Sequence, residues 1–244
     1  MKISIVAEKV FEIGNFPVTN TLLASWVAIL ILTIFAAISY RAIKKGGKFT
    51  AFLHIVFEAF IDFMASFAGS KETVKKYLPF VGTIFFYILI SNWVGTLPGV
   101  ETIGLHKEGE FVPLLRTANS DINMTLALAV ILVVSTHVVG IKNIGFKHHV
   151  GKFLVNPFTK PIGFFVGILE LIGEVSRVVS LTFRLFGNIF AGSVLMLIIS
   201  LLAPYIVPIP FLGLELFVGF IQALVFSVLA MMFLTSATQL HEEH

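Results

Sequence analysis

The 244-residue chain contains no cysteine. Disulfides, thiolate chemistry and cysteine-ligated zinc are therefore excluded. Charge is scarce as well: Asp, Glu, Lys and Arg together make up 13% of the residues, against about 25% in an ordinary soluble domain. No P-loop, glycine-rich nucleotide fingerprint or nucleophile elbow occurs. His148–His149 and the terminal "HEEH" do not match the HExxH zinc pattern. Nothing in these patterns gives the chain a catalytic site of its own, and neither a cofactor nor a metal is expected. Nucleotide and nucleic acid are not expected as ligands either. The net charge is only +3, and no basic patch is interleaved with aromatics.

What is abundant is apolar: 57% of the residues are hydrophobic. Several apolar runs reach the roughly 18–20 residues that cross a bilayer as helix. The chain reads as an all-α integral membrane protein with the lipid bilayer as its solvent and one membrane domain over residues 1–244. No internal repeat or low-complexity segment is evident. Glu8 and Glu12 precede the first run and the cluster "RAIKKGGK" follows it. That order is the reverse of a cleavable signal peptide.

The first span is expected at about residues 21–40. Arg41, Lys44, Lys45 and Lys48 follow it, which puts the N-terminus outside and this loop in the cytoplasm. Residues 50–69 form a helix with His54, Glu58, Asp62 and Ser66 in one polar stripe. A crossing there would put Lys71, Lys75 and Lys76 outside, so this helix is read as interfacial. The competing reading is a true span.

Further spans follow at about 78–97 and 121–140. Trp26 and Trp93 would then share the outer interface. The loop between these two spans carries Glu101, Glu108 and Glu110 against Lys107 and Arg116, as an outer loop would. Asn119, Ser120 and Asp121 read as helix caps. The loop after 140 carries Lys142, Lys147, Lys152 and Lys160 with no acid and reads as cytoplasmic. From Pro161 to Ala203 there is no internal proline. As one helix this is roughly 65 Å at about 1.5 Å per residue, twice the ~30 Å hydrocarbon layer. It is either two short spans or one long, tilted helix. A last run covers 211–240. The sum is about five crossings plus the interfacial helix, with the C-terminus in the cytoplasm.

A charge at mid-membrane costs about 2.5–3.5 kcal/mol on insertion scales, yet one segment carries several. Glu170, Glu174, Arg177, Arg184 and Asn188 are spaced four, three, seven and four residues apart, which reads as a single helix face. Glu174 and Arg177 can pair with each other. Arg184 cannot shed its proton, and Glu174, ten residues away, is roughly 15 Å along the axis at ~1.5 Å per residue. Its partner is therefore expected on another helix or another chain. In the last run Glu215 and Gln222 share a face, with Gly219 between them to admit a neighbour. Glu215 is read either as one step of an ion relay or as a glutamate at the headgroup level. His137 reads as a packing histidine.

"SLTFRLFGNIFAG" (180–192) closely resembles the signature of subunit a of F-type ATP synthases of the bacterial and chloroplast type. The resemblance extends to "SNWVGTLPG", "RTANSDINMTLALA" and "IQALVFSVL" and so covers most of the chain. It implies a stator in a bacterial plasma membrane that conducts protons or sodium through two offset half-channels. Its partners would be a c-ring, whose subunits each carry one carboxylate, and b-type peripheral stalk subunits. Arg184 would face those carboxylates and block a direct leak. By motif position Asn188 and Gln222 would line the outer route and Glu170 the cytoplasmic one. Glu174, Arg177, Arg116, Asp121 and Asn123 would support the structure or a channel. The family's long membrane hairpin favours one tilted helix over 161–203, paired with the last.

One departure concerns the outer route. Some members have an acid nine residues after the arginine and a histidine seven before the glutamine. Here those positions hold Ser193 and Glu215, so the acid has moved to the last helix. Glu215 becomes the expected relay and Ser193 a hydrogen-bonding neighbour. Gly187 and Gly192 would keep the arginine face slim. The alternative reading is a stand-alone secondary transporter or ion channel, although neither repeats nor broken helices are evident. An intramembrane enzyme would need a nucleophile–base or metal-ligand constellation that the sequence does not offer.

Overall fold

A computed structural model describes residues 7–97, 99–100, 103–107, 110–151, 153 and 161–238. Glu101, Glu108, Lys152, Lys160, residues 239–240 of the last expected span and the "HEEH" tail fall outside the described residues. The side chains of Lys107 and Glu110 do so as well.

The chain opens with β1 (Lys9–Ile13) and β2 (Phe16–Thr19), an antiparallel hairpin. Gly14 turns it at φ 63°, a conformation glycine adopts without steric cost. Thr19 then caps α1 (Asn20–Lys45), its hydroxyl accepting from Leu22 N at 3.3 Å. Lys44 and Lys45 lie in the last turn of α1, where cations complement the helix dipole. Gly46 and Gly47 at positive φ lead into α2 (Lys48–Ala68), which ends at left-handed Gly69. Ser70 caps α3 (Lys71–Thr96). A second hairpin follows, β3 (Gly104–Lys107) and β4 (Glu110–Pro113). After a 3-10 turn at Ala118–Ser120 come α4 (Ile122–Ile144), capped by Asp121, and the short α5 (Phe146–Gly151). The last two helices are α6 (Pro161–Leu202) and α7 (Pro208–Ser236).

The expected spans are present, with shifted ends. The segment from 161 is one continuous helix of 42 residues, which decides between the two readings left open. The two β-hairpins were not expected. They are short and confined to the polar segments before α1 and between α3 and α4, and the chain is all-α in class as expected.

Among the described residues, six helices are long and apolar enough to cross a membrane. Their contacts fix their directions. The start of α1 and the end of α3 meet at the 3-10 turn: Thr21 Oγ1 donates to Asp121 Oδ2 at 3.2 Å, and Asn119 Nδ2 to Asn92 Oδ1 at 2.7 Å. Further along, Ser25 Oγ and Tyr87 OH are 2.7 Å apart. So α1 leads away from the hairpin end and α3 returns to it. By the same logic α4 leads away, α6 returns and α7 leads away. Five helices thus run end to end in alternation. Glycine-containing two-residue turns join α2 to the far end of α1 and to the near-sequence end of α3, so both of its termini lie at the same end of the molecule. That end collects Lys44, Lys45, Lys48, Lys71, Lys75, Lys76, Lys142 and Lys147.

The surface of α2 is divided in three. Leu53, Met64 and Ala68 are buried against the bundle. His54, Glu58, Asp62 and Ser66 form an exposed polar stripe, with Asp62 ion-paired to Lys71 at 2.5 Å. Phe49, Phe52, Val56, Phe63 and Phe67 form an exposed apolar face opposite that stripe. A helix with water on one side, lipid on the other and protein beside it has this division.

The core lies between α3 and α7, with α1, α2 and α4 around it. Met64, Val81, Ile88, Leu132, Leu185, Met231 and Leu234 are fully enclosed. Phenylalanines link the elements: the Phe60 and Phe85 rings meet tilted at 5.0 Å, and Phe85 meets Phe220 edge-on at 6.1 Å. Helix α6 buries little of itself, chiefly Leu181, Leu185 and Ile189. Its other side, including Phe165, Leu169, Ile172, Val179 and Phe183, is an exposed apolar face.

Candidate functional site

The polar residues of α6 form a row along the edge of its packed face, and the structure divides that row in two. Glu174 and Arg177 turn into the chain. Arg177 Nη1 donates to Glu174 Oε1 at 2.7 Å, and its guanidinium lies 4.2 Å from the Phe233 ring centroid on α7. Glu170 is half-buried beside them. Arg184 and Asn188 are exposed on the outer flank of α6. Arg184 makes no hydrogen bond or ion pair with any described residue. The single face expected from spacing is thus an inward cluster continued by an outward pair.

Two cavities flank Arg184 along α6. At the hairpin end a cavity of about 420 Å³ lies between α3, α6 and α7 and is lined by Ser193, Ser200, Thr96, Thr117, Pro208 and Glu215. The Ser193 hydroxyl donates to Ile189 O at 3.0 Å. Ser193 and Glu215 therefore share one chamber, as their exchanged positions in sequence suggested. Gly192 belongs to this chamber: a Cβ there would stand 3.0 Å from Glu215 Oε1. That corrects the expectation that Gly192 slims the Arg184 face. Gly187, the other glycine near Arg184, opens onto free space.

At the lysine-rich end a smaller cavity of about 80 Å³ is lined by Glu170, Glu174, Arg177, His137, His149 and Phe233. His137 is a hydrogen-bonded, packed histidine that also borders this cavity. Its Nδ1 is 3.0 Å from His149 Nε2, and its Nε2 is 3.7 Å from Glu174 Oε2. Among the described residues no group of three or more ligands suited to a metal ion occurs.

Along α6, Arg184 stands seven positions after Arg177 of one cavity and nine before Ser193 of the other. At ~1.5 Å per residue Arg184 is roughly 10 Å and 14 Å from them along the axis.

On α7, Glu215 and Gln222 are both half-buried, and buried Gly219 between them admits α3. A Cβ at 219 would be 3.1 Å from Asn92 Cβ. Asn92 Nδ2 donates to Gly219 O at 3.1 Å, and Trp93 Nε1 to Leu216 O at 3.0 Å. Asn119 is not a cap: it is fully buried and bonded to Asn92. Asp121 does cap α4, accepting from Asn123 N at 2.9 Å. Asn123 itself is exposed, with its amide on Asp121 Oδ1. Arg116 is half-buried and lines neither cavity.

Residues 22–235 match the family described as ATP synthase A chain. The chain belongs to that family. It is 37% identical over 232 residues to ATP synthase subunit a of Mycobacterium tuberculosis, covering 93% of this chain and 89% of that protein. The subunit a of Trichlorobacter lovleyi is 35% identical over 229 residues, 92% of this chain and 89% of its own length. That of Geobacter sulfurreducens is 36% identical over 220 residues, 89% and 85%. The matched region takes in all but the outermost residues of the six long apolar helices and, apart from Ser236 and Ala237, every residue lining the two cavities. The chain is an integral membrane protein of the ATP synthase subunit a type.

Proposed function

We propose that this chain is the ion-conducting stator of an F-type ATP synthase, assembled with a c-ring and b-type stalk subunits in a bacterial plasma membrane. The observation that carries this reading is Arg184. It is an obligate cation without a partner among the described residues, and it stands between two cavities that lie toward opposite ends of the molecule.

The five end-to-end helices cross the bilayer, and α2 lies on its cytoplasmic surface. The lysine-rich end faces the cytoplasm, by the positive-inside rule, and the hairpin end faces outward. The exposed apolar face of α6 meets the ring. There a ring carboxylate passing Arg184 is favoured in its ionised form by Coulomb attraction at low local dielectric. A fixed positive charge at that point also repels a cation moving straight from one cavity to the other.

The hairpin-end cavity is the outer half-channel, with Glu215 as relay, Ser193 beside it, and Asn188 and Gln222 toward the ring. The cavity at Glu170 is the cytoplasmic half-channel, with Glu174 and Arg177 supporting it. Asp121 and Asn123 secure the start of α4, and Arg116 belongs to the outer loop.

In membrane vesicles containing the assembled synthase, Arg184→Ala is expected to abolish ATP synthesis driven by an ion gradient. Retained coupled synthesis would refute the role. Purification with a c-ring separates the stator from a transporter acting alone.

A further inference from the structure

Two histidines at the lysine-rich end have no task in the reading above. His137 on α4 and His149 on α5 are joined through Nδ1 and Nε2 at 3.0 Å, with their rings at 77°. On the other side of His137 stands Glu174, at 3.7 Å from Nε2. Glu174 Oε1 is taken by Arg177, while Oε2 is buried with no hydrogen-bond partner. It borders the cavity of about 80 Å³, room for about two waters. An unsatisfied carboxylate oxygen beside a polar cavity of that size calls for water there.

We propose that His137 is a proton-carrying residue of the cytoplasmic half-channel, and hence that the ion conducted is the proton. This rests on the half-channel reading and adds to it the ion and its carrier. A neutral imidazole takes up a proton on its free nitrogen and can give it back. That property is of no use to a sodium ion.

In the synthesis direction a proton leaves the Glu170 carboxyl through cavity water and binds His137 Nε2. The ring becomes an imidazolium, balanced by the Glu174 carboxylate. The same Nε2 proton then passes to water at the cytoplasmic end, the His137 side chain being 32% exposed. Nδ1 keeps its proton throughout, donating it to His149 Nε2, so release from Nε2 restores the starting tautomer. Glu174, held by Arg177, positions the ring and balances its charge. The charged and titratable groups facing His137 are Glu170, Glu174 and Arg177 from α6 and His149 from α5. Helix α7 contributes Phe233, Ser236 and Ala237, none of which titrates.

The test uses the whole synthase in sodium-free liposomes. Passive proton conduction, with the catalytic head removed, and ATP-driven pumping are both measured against the pH on the cytoplasmic face. His137→Gln is expected to lower conduction about tenfold or more. It should also flatten the dependence of the rate on cytoplasmic pH, with added imidazole restoring part of the rate. His149→Gln, which keeps a hydrogen-bond acceptor for Nδ1, should give a smaller loss. Wild-type rates and profile in His137→Gln overturn the inference. Should that variant not assemble, wild-type rates and profile in His137→Asn do so. Arg184→Ala is measured alongside. If it abolishes coupled transport while both histidine variants match wild type, only this inference falls. If it too is without effect, the stator reading falls.

Discussion

Gly192 on α6 makes room for the Glu215 side chain on α7, whose Oε1 lies 3.0 Å from where a Cβ would stand. A flexible carboxylate can give by a few tenths of an ångström, so Gly192→Ala is expected to leave assembly intact and slow proton flux modestly. Gly192→Leu fills the chamber and is expected to cut flux at least about tenfold, which corresponds to about 1.4 kcal/mol of barrier. Glu215→Gln should slow translocation as well, since an amide cannot carry the proton. Flux measurements across a pH series check all three variants. A Glu215→Gln enzyme with unaltered flux at every pH removes Glu215 from the path.

Asn92 holds α3 to α7 and to the 3-10 turn through bonds to Gly219 O and from Asn119 Nδ2. Asn92→Leu strands both partners in an apolar setting. Interhelical hydrogen bonds in membranes contribute about 0.6–2 kcal/mol, so a loss of that order is expected. The measurement is the thermal midpoint of the detergent-purified complex. Because the same bonds set the rotation of α7, the outer-channel flux should fall with it.

Gly95 packs directly on the Thr117 backbone and hydroxyl, leaving no room for a Cβ. Backbone cannot yield as a side-chain tip does. Gly95→Ala is therefore expected to destabilise by about 1–3 kcal/mol, as overpacking does, and to lower the yield of assembled complex. Gly187→Ala, which meets open space within this chain, should leave the yield unchanged.

The long helices were legible because bilayer thickness imposes their length and composition, and lysine placement gave their order. Arg184 was legible too, since a charge without an acid within reach on its own face must look elsewhere. The hairpin of β1 and β2 had a local signal that went unread: Gly14–Asn15 between Ile13 and Phe16 is a two-residue turn sequence flanked by apolar residues. The division of the α6 row was not legible. Spacing places residues on a face but does not say how far a neighbouring helix covers it. The partner that satisfies His137 was not legible for a related reason, because His149 arrives from a separate short helix. Asn119 was misread because the capping pattern next to it was satisfied by Asp121 alone.

The central claim is that the Arg184 face of α6 meets the ring, and cross-linking tests it most directly. The chain has no cysteine, so introduced thiols report without background from it. Asn188→Cys, one turn from Arg184 on the exposed flank, is paired with single cysteines along the outward helix of the ring subunits, in membranes under mild oxidation. The account predicts disulfide-linked products for Asn188→Cys with ring positions near the carboxylate, and none for Thr182→Cys on the buried side. Cross-linking of the ring through position 182, with none through 188, would contradict it.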